Sequence, residues 1–213
     1  MTQLTPAQSW AAMQAGNARF VAGTPKHPHQ DAMRRLETSG AQLPHAMVFG
    51  CSDSRLAAEI IFDEGLGDLF VIRNAGQVSS ESVIGSLEYG IAALEIPLIV
   101  VLGHDACGAV AAAIASTHAD PPELPMQVWR QISPIVPSVH RVMKETDSLP
   151  STVSPEDVGR AHLRATVAGI LRSSELISDA VNAGKVAIVA ANYRLTEGTA
   201  VPDFIVGPAT ADA

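Results

Sequence analysis

The stretch PLIVVLGHDACGAVAAAIAST, Pro97 to Thr117, joins an uninterrupted apolar run to a segment of small residues. Leu98 to Leu102 are all apolar, which is typical of a strand that is buried on both faces of a sheet. The small residues that follow His104 predict a helix. A buried strand followed directly by a helix is the repeating unit of a parallel α/β sheet.

The same alternation of strand and helix extends in both directions from this stretch. A helix is predicted over SSESVIGSLEYGIAALE, and one long helix over SPEDVGRAHLRATVAGILRSSELISDAVNAG. We therefore predict an α/β fold: a mostly parallel central sheet of about four strands plus a C-terminal edge strand, flanked by helices, in a single domain over residues 1–213. The other predicted strands are HAMVFG (45–50), LFVIR (69–73), KVAIVAANYRL (185–195) and the edge strand TAVPDFIVG (199–207).

The N-terminal segment, residues 5–23 approximately, predicts a helical arm. Thr5 can cap this helix, Pro6 suits its first turn and Gly23 can end it. Trp10 and Phe20 lie on one face at helical spacing, so this face must be buried. From the residues alone, burial of this face against the body of the same subunit and burial against a second subunit are equally favoured.

Composition excludes several classes of protein. The net charge of −8 argues against non-specific electrostatic binding to nucleic acid or to an anionic membrane. The first residues lack the pattern of a signal peptide, and the longest apolar stretch is interrupted by Glu95 and Pro97. We therefore expect no membrane or nucleic-acid partner and a cytoplasmic location, where the two cysteines would be thiols, metal ligands or core residues.

Three residues with metal-binding side chains follow two of the predicted strands. Cys51 follows the first strand, His104 ends the third, and Cys107 begins the next helix. If these strands are neighbours, two thiolates and one imidazole converge into a tetrahedral zinc site with one open position. Small core cysteines are the alternative. Asp53 and Arg55, close to Cys51, predict either a salt bridge that shapes a turn or a support beside the metal.

Two segments, GCSDSRLAAEIIFDEGLGDLFVIRNAGQV and GSLEYGIAALEIPLIVVLGHDACGAV, resemble the β-class carbonic anhydrases of bacterial type. The resemblance implies one Zn²⁺ per chain on Cys51, His104 and Cys107. It also implies reversible hydration of carbon dioxide to bicarbonate and a proton by zinc-bound hydroxide. Asp53 would orient that hydroxide, or act as a conditional fourth ligand at lower pH, and Arg55 would hold Asp53 ionised.

The resemblance further implies a substrate pocket and an oligomer. It implies a homo-oligomer, dimer or tetramer, with the active site at the dimer interface and the N-terminal helix wrapped around the partner. Val48 stands where bicarbonate-regulated members carry tryptophan, so the pocket for such regulation is incomplete although Arg73 is present, and the sequence leaves this regulation open. The implied substrate-binding residues are Gln42, Phe70, Ala75, Tyr89 and Gly108.

Three other functions fit parts of this pattern. Hydrolysis of carbon disulfide or carbonyl sulfide on the same fold is one, because both molecules are isoelectronic relatives of carbon dioxide. It would need a narrower or differently gated tunnel. A zinc-bearing binding module would not need Asp53 or Arg55. A thiol redox protein would need the two cysteines to lie close together without a histidine ligand.

Overall fold

A computed structural model describes residues 3–210, which fold around a five-stranded sheet. The strand order is β2-β1-β3-β4-β5; the first four strands are parallel, and β5 runs antiparallel to β4 at the edge. This arrangement confirms the predicted fold class, including the C-terminal edge strand. The strands are β1 (Ala46–Cys51), β2 (Leu69–Asn74), β3 (Leu98–His104), β4 (Ala187–Arg194) and β5 (Thr199–Val206).

Helices cover both faces of the sheet because the central strands are apolar on both sides. Val48 and Val100 point into one apolar cluster, and Met47 and Ile99 into the other. None of the helices among the described residues is long and apolar enough to cross a membrane. The helices are α1 (Pro6–Val21), α2 (Ala32–Glu37), α3 (Ala58–Ile61), α4 (Glu81–Ala92), α5 (Gly108–Ala115), α6 (Met126–Ile132), α7 (Val136–Thr146), α8 (Pro155–Ser173) and α9 (Glu175–Asn182), with a short 3₁₀ turn at Ser133–Ile135.

Helix α1 packs against the body of its own subunit. Trp10 is only 3% exposed and Phe20 packs against the same apolar cluster. The buried Asn17 side chain donates hydrogen bonds to the backbone carbonyls of Ile61 (3.1 Å) and Gly198 (2.9 Å). The chain itself therefore buries Trp10 and supplies the polar partners of Asn17. Contact of this helix with a partner subunit, which the resemblance implies, stays a prediction.

A close approach at Gly16 fixes this docking. A Cβ atom at Gly16 would lie 1.7 Å from the carbonyl oxygen of Phe62, a backbone atom that cannot rotate away. We expect Gly16→Ala to lower the free energy of unfolding by about 1–3 kcal/mol, measured by urea denaturation. Gly85→Ala on α4 is the control, because no atom of the described residues lies within 4 Å of its Cβ position. Equal effects of the two changes would contradict the docking of α1.

The long helix predicted from Ser154 to Gly184 is two helices, α8 and α9. Ser174 separates them with an extended backbone (φ −137°, ψ 112°). Its hydroxyl accepts a hydrogen bond from the Ile177 amide at 3.1 Å and donates one to Glu88 Oε1 at 2.6 Å. A serine that caps the second helix in this way competes with continuation of the first, and the apolar periodicity did not reveal it.

Candidate metal centre

Two adjacent strands bring the three candidate metal ligands together. β1 and β3 pair in parallel, with Gly50 opposite Leu102, so both strands end at the same edge of the sheet. Cys51 is the last residue of β1, His104 the last of β3, and Cys107 directly precedes α5. One ligand atom from each of the three lies within 4.8 Å of the others, and all three residues are buried.

The imidazole of His104 is oriented to bind through Nε2. Its Nδ1–H donates a hydrogen bond to the backbone carbonyl of Asp105 at 2.8 Å, which leaves the lone pair on Nε2. Nε2 is buried and has no hydrogen-bond partner among the described residues. A buried acceptor without a partner is costly, and a metal ion beside the two sulfurs would satisfy it. The residues therefore fit a metal centre.

The two thiols share their protons unequally. A hydrogen bond from Cys107 lowers the pKa of Cys51 most, and the amide of Gly76, 3.3 Å from Cys51 Sγ, adds to this. The pKa of Cys107 is raised, because it is the donor in that pair and because it is buried. The first thiolate therefore forms readily, and a bound cation is what favours loss of the second proton.

Asp53 and Arg55 form a two-pronged ion pair at the rim of the centre. Asp53 Oδ1 accepts from Arg55 Nε at 2.9 Å and Oδ2 accepts from Nη2 at 2.7 Å. Mainly because of this side-chain hydrogen bonding, the pKa of Asp53 lies well below its ordinary value. The two residues lie in a turn after β1, so the pair both shapes the turn and holds an ionised carboxylate close to the metal ligands.

Arg73 braces this turn from β2. Its Nε donates to the carbonyl of Cys51 at 2.9 Å, and its Nη2 donates to the carbonyl of Asp53 at 2.6 Å. Sequence reasoning considered Arg73 only for bicarbonate regulation and missed this contact. Arg73 lies directly opposite Gly50 in the parallel register, and that register was not visible in the sequence.

Two of the predicted substrate-binding residues lie at the same end of the strands as the three candidate metal ligands. Ala75 directly follows β2 and is exposed. Gly108 is the first residue of α5, and no atom of the described chain lies within 4 Å of the position that a Cβ would take. The space above Gly108 is therefore open to a small molecule.

The other three predicted substrate-binding residues lie at the opposite end of the strands, where β1 and β2 begin. Phe70 pairs with Met47, four residues before Cys51, which is about 13 Å along the strand. Tyr89 contacts Phe70, with ring centroids 6.2 Å apart, and Gln42 lies in the exposed loop before β1. A single chain does not bring these residues to its own candidate metal ligands.

Comparison with known proteins places the chain among enzymes of one kind. A family model described as carbonic anhydrase matches residues 46–200. Carbonic anhydrase 2 of Mycobacterium tuberculosis (strain H37Rv) is 44% identical over 202 residues, which cover 94% of each chain. The carbonic anhydrase of Mycolicibacterium smegmatis is 44% identical over 199 residues, which cover 93% of each.

Solved structures show the same fold. One structure from a study of two tetrameric β-carbonic anhydrases of Sordaria macrospora superposes with a TM-score of 0.70 at 24% identity, covering 92% of this chain and 98% of the other. The β-carbonic anhydrase CafA of Aspergillus fumigatus gives a TM-score of 0.69 at 23% identity, covering 91% and 89%. With the family match over most of its length, the chain belongs to the β-class carbonic anhydrases, in a form similar to those of bacteria.

Proposed function

We propose that this chain is a zinc enzyme that catalyses the reversible hydration of carbon dioxide to bicarbonate and a proton. The observation that carries the proposal is the convergence of two sulfurs and an unpartnered imidazole nitrogen at one buried edge of the sheet. Membership of the carbonic anhydrase family supports the reaction.

Cys51, His104 and Cys107 would hold one zinc ion per chain. Two thiolates and one imidazole suit tetrahedral zinc, and three protein ligands leave one position free for chemistry. When bound, zinc would supply the Lewis acidity that makes water reactive near neutral pH. The backbone amide of Gly76 would help to keep the Cys51 sulfur ionised.

Asp53 would accept a hydrogen bond from the reacting water and so orient it. Arg55 keeps the carboxylate ionised, and Arg73 keeps the turn that carries it next to Cys51. Ligation of the metal by Asp53 at lower pH stays a prediction. It requires the ion pair with Arg55 to break, and crystal structures at two pH values would test it. An Asp53 that stays paired with Arg55 at both values would count against it.

We also propose a homo-oligomer whose active site lies at an interface between two chains. Three of the predicted substrate-binding residues lie near the amino-terminal ends of the strands: Gln42, Phe70 and Tyr89. They can contribute to a metal centre only if that centre belongs to another chain. The Sordaria macrospora proteins with this fold are described as tetrameric. Light scattering should give a mass of two or four chains, and a monomer would exclude a role for these three residues. The cytoplasmic location stays a prediction.

The activity test is stopped-flow hydration of carbon dioxide by protein of known zinc content, from about pH 6.5 to 9, which brackets the near-neutral pKa of activated zinc water. We expect one zinc per chain and activity that rises with pH. The pKa of Asp53 is too low for its own protonation to cause that rise. Full zinc occupancy without activity would contradict the proposal and direct the test to carbon disulfide and carbonyl sulfide.

A further inference from the structure

We propose that Gln131 and His162 are positioning residues for the metal centre: they hold the two peptide groups on either side of Gly76, so that the Gly76 amide faces the sulfur of Cys51. This inference rests on the proposed function, because it assigns Cys51 as a metal ligand. Among residues 3–210, neither side chain makes a hydrogen bond to any of the three ligands. Both act through the turn that follows β2.

The turn from Asn74 to Val78 has an unusual backbone. Gly76 (φ +79°) and Gln77 (φ +40°) both have positive φ, which is unfavourable for a residue with a side chain such as Gln77. The Asn74 side chain closes the turn by accepting from the Val78 amide (2.8 Å) and donating to its carbonyl (2.7 Å). A backbone of this kind persists only when its surroundings hold it in place.

Gly76 is also closely enclosed. A Cβ at this position would lie 2.8 Å from the Cβ of Ala109, which is two residues after Cys107, and 2.9 Å from Cδ1 of Ile135. The turn is therefore wedged between α5 and the 3₁₀ turn before α7. Its amide approaches Cys51 Sγ to 3.3 Å from this position.

The first peptide group, between Ala75 and Gly76, is held from α6. Gln131 Nε2 donates a hydrogen bond to the Ala75 carbonyl at 2.8 Å. The N–H of the same peptide group is the Gly76 amide that donates to Cys51 Sγ. The two hydrogen bonds therefore form one chain through a single peptide group, and such bonds polarise and strengthen one another.

The second peptide group, between Gly76 and Gln77, is held from α8. His162 Nε2–H donates to the Gly76 carbonyl at 2.8 Å, and Thr166, one helical turn later, donates to the Gln77 carbonyl at 3.4 Å. His162 is 3% exposed, and its Nδ1 has no partner in the described part of the chain. Burial lowers the pKa of His162, which favours the neutral imidazole. The Gly76 carbonyl can only accept, so the neutral ring carries its proton on Nε2.

The expected consequence concerns the metal rather than the fold alone. An amide that donates to a thiolate stabilises its charge and orients the sulfur toward the ion. Without the hydrogen bonds from Gln131 and His162, the Gly76 amide would turn away from Cys51 Sγ. The buried Cys51 thiolate would then lose a hydrogen-bond donor. Loss of such an outer partner typically weakens metal binding by about 10–100-fold.

The experiment compares full-length variants by chelator competition for zinc and by the sulfur-to-cobalt charge-transfer absorption of the cobalt(II) form. Gln131→Met removes the donor from a surface helix without emptying the core. Gln127→Met on the same helix is the matched control, because Gln127 is exposed and makes no side-chain hydrogen bond among residues 3–210. His162→Leu removes the buried donor, and His162→Gln restores an N–H at a similar reach.

We expect Gln131→Met and His162→Leu to raise the zinc Kd by about ten-fold or more and to shift the cobalt absorption. Gln127→Met and His162→Gln should stay close to the wild type. If His162→Leu fails to fold, Gln131→Met against Gln127→Met decides. Wild-type affinity and absorption in Gln131→Met and in any folded His162→Leu would overturn the inference while leaving the proposed function intact. A wild-type chain that binds no zinc would overturn both.

Discussion

Cys107→Ser is expected to remove zinc from the protein and to lower kcat/KM for carbon dioxide hydration by about 10³-fold or more, since little of the usual enzymatic acceleration would survive without the metal. Serine is close in size to cysteine, but its hydroxyl does not ionise near neutral pH. The remaining Cys51 and His104 would leave zinc with only two protein ligands. Metal analysis after gel filtration and stopped-flow kinetics measure the two effects.

The Cys107→Ser substitution should not disturb the helix that follows it. Cys107 occupies the N-cap position of α5 without a side-chain capping bond, and serine is a good capping residue. The variant should therefore keep its helix content and its thermal unfolding transition in the metal-free state. His118→Ala, an exposed imidazole shortly after α5, should retain zinc and activity. Full zinc occupancy in Cys107→Ser would contradict the ligand assignment.

Asp53→Asn is expected to lower kcat/KM by about 10²–10³-fold while zinc stays at one per chain. Asparagine keeps the shape of the side chain but loses the negative charge. That charge pairs with Arg55 and strengthens the hydrogen bond that the carboxylate would accept from the reacting water. Arg55→Lys should have a smaller effect, because lysine keeps the charge but cannot make both contacts. Asp120→Asn, an exposed aspartate, is the control and should leave the rate unchanged.

The pH dependence of this effect follows from the lowered pKa of Asp53. The pKa of Asp53 is lower in the folded protein than in the unfolded chain. Its ionised form therefore stabilises the folded state above the unfolded pKa, and this stabilisation is lost only when the pH falls through the pKa of the folded protein. Protonation of Asp53 should therefore add no pH dependence to the rate ratio between wild type and Asp53→Asn across neutral pH. An unchanged rate in the variant would contradict the role of Asp53, and loss of zinc would assign Asp53 to metal binding instead.

The parallel sheet could be predicted because its strands carry a strong local signal. Leu98 to Leu102 and Ala187 to Ala191 are continuous apolar runs, and each is buried throughout. The approach of Cys51 to His104 could be predicted only on condition that β1 and β3 are neighbours. Strand order depends on contacts between distant segments, and the sequence alone left it open.

The features that escaped prediction depend on single long-range contacts. The break between α8 and α9 depends on Ser174 and on Glu88, 86 residues away. The docking of α1 depends on Asn17 and on Gly198, 181 residues away. Arg73 was visible in the sequence, but its contact with the Cys51 carbonyl follows from a register between strands. Local periodicity contains no information of this kind.

The most direct test of the central claim is X-ray absorption at the zinc edge of the purified wild-type protein. We expect two sulfur neighbours at about 2.3 Å and a nitrogen at about 2.0–2.1 Å, with the remaining position taken by nitrogen or oxygen. Cys51→Ser and Cys107→Ser should each lose this signal. A shell with four sulfurs, a shell without sulfur, or a protein without zinc would contradict the assignment of Cys51, His104 and Cys107 as the metal centre.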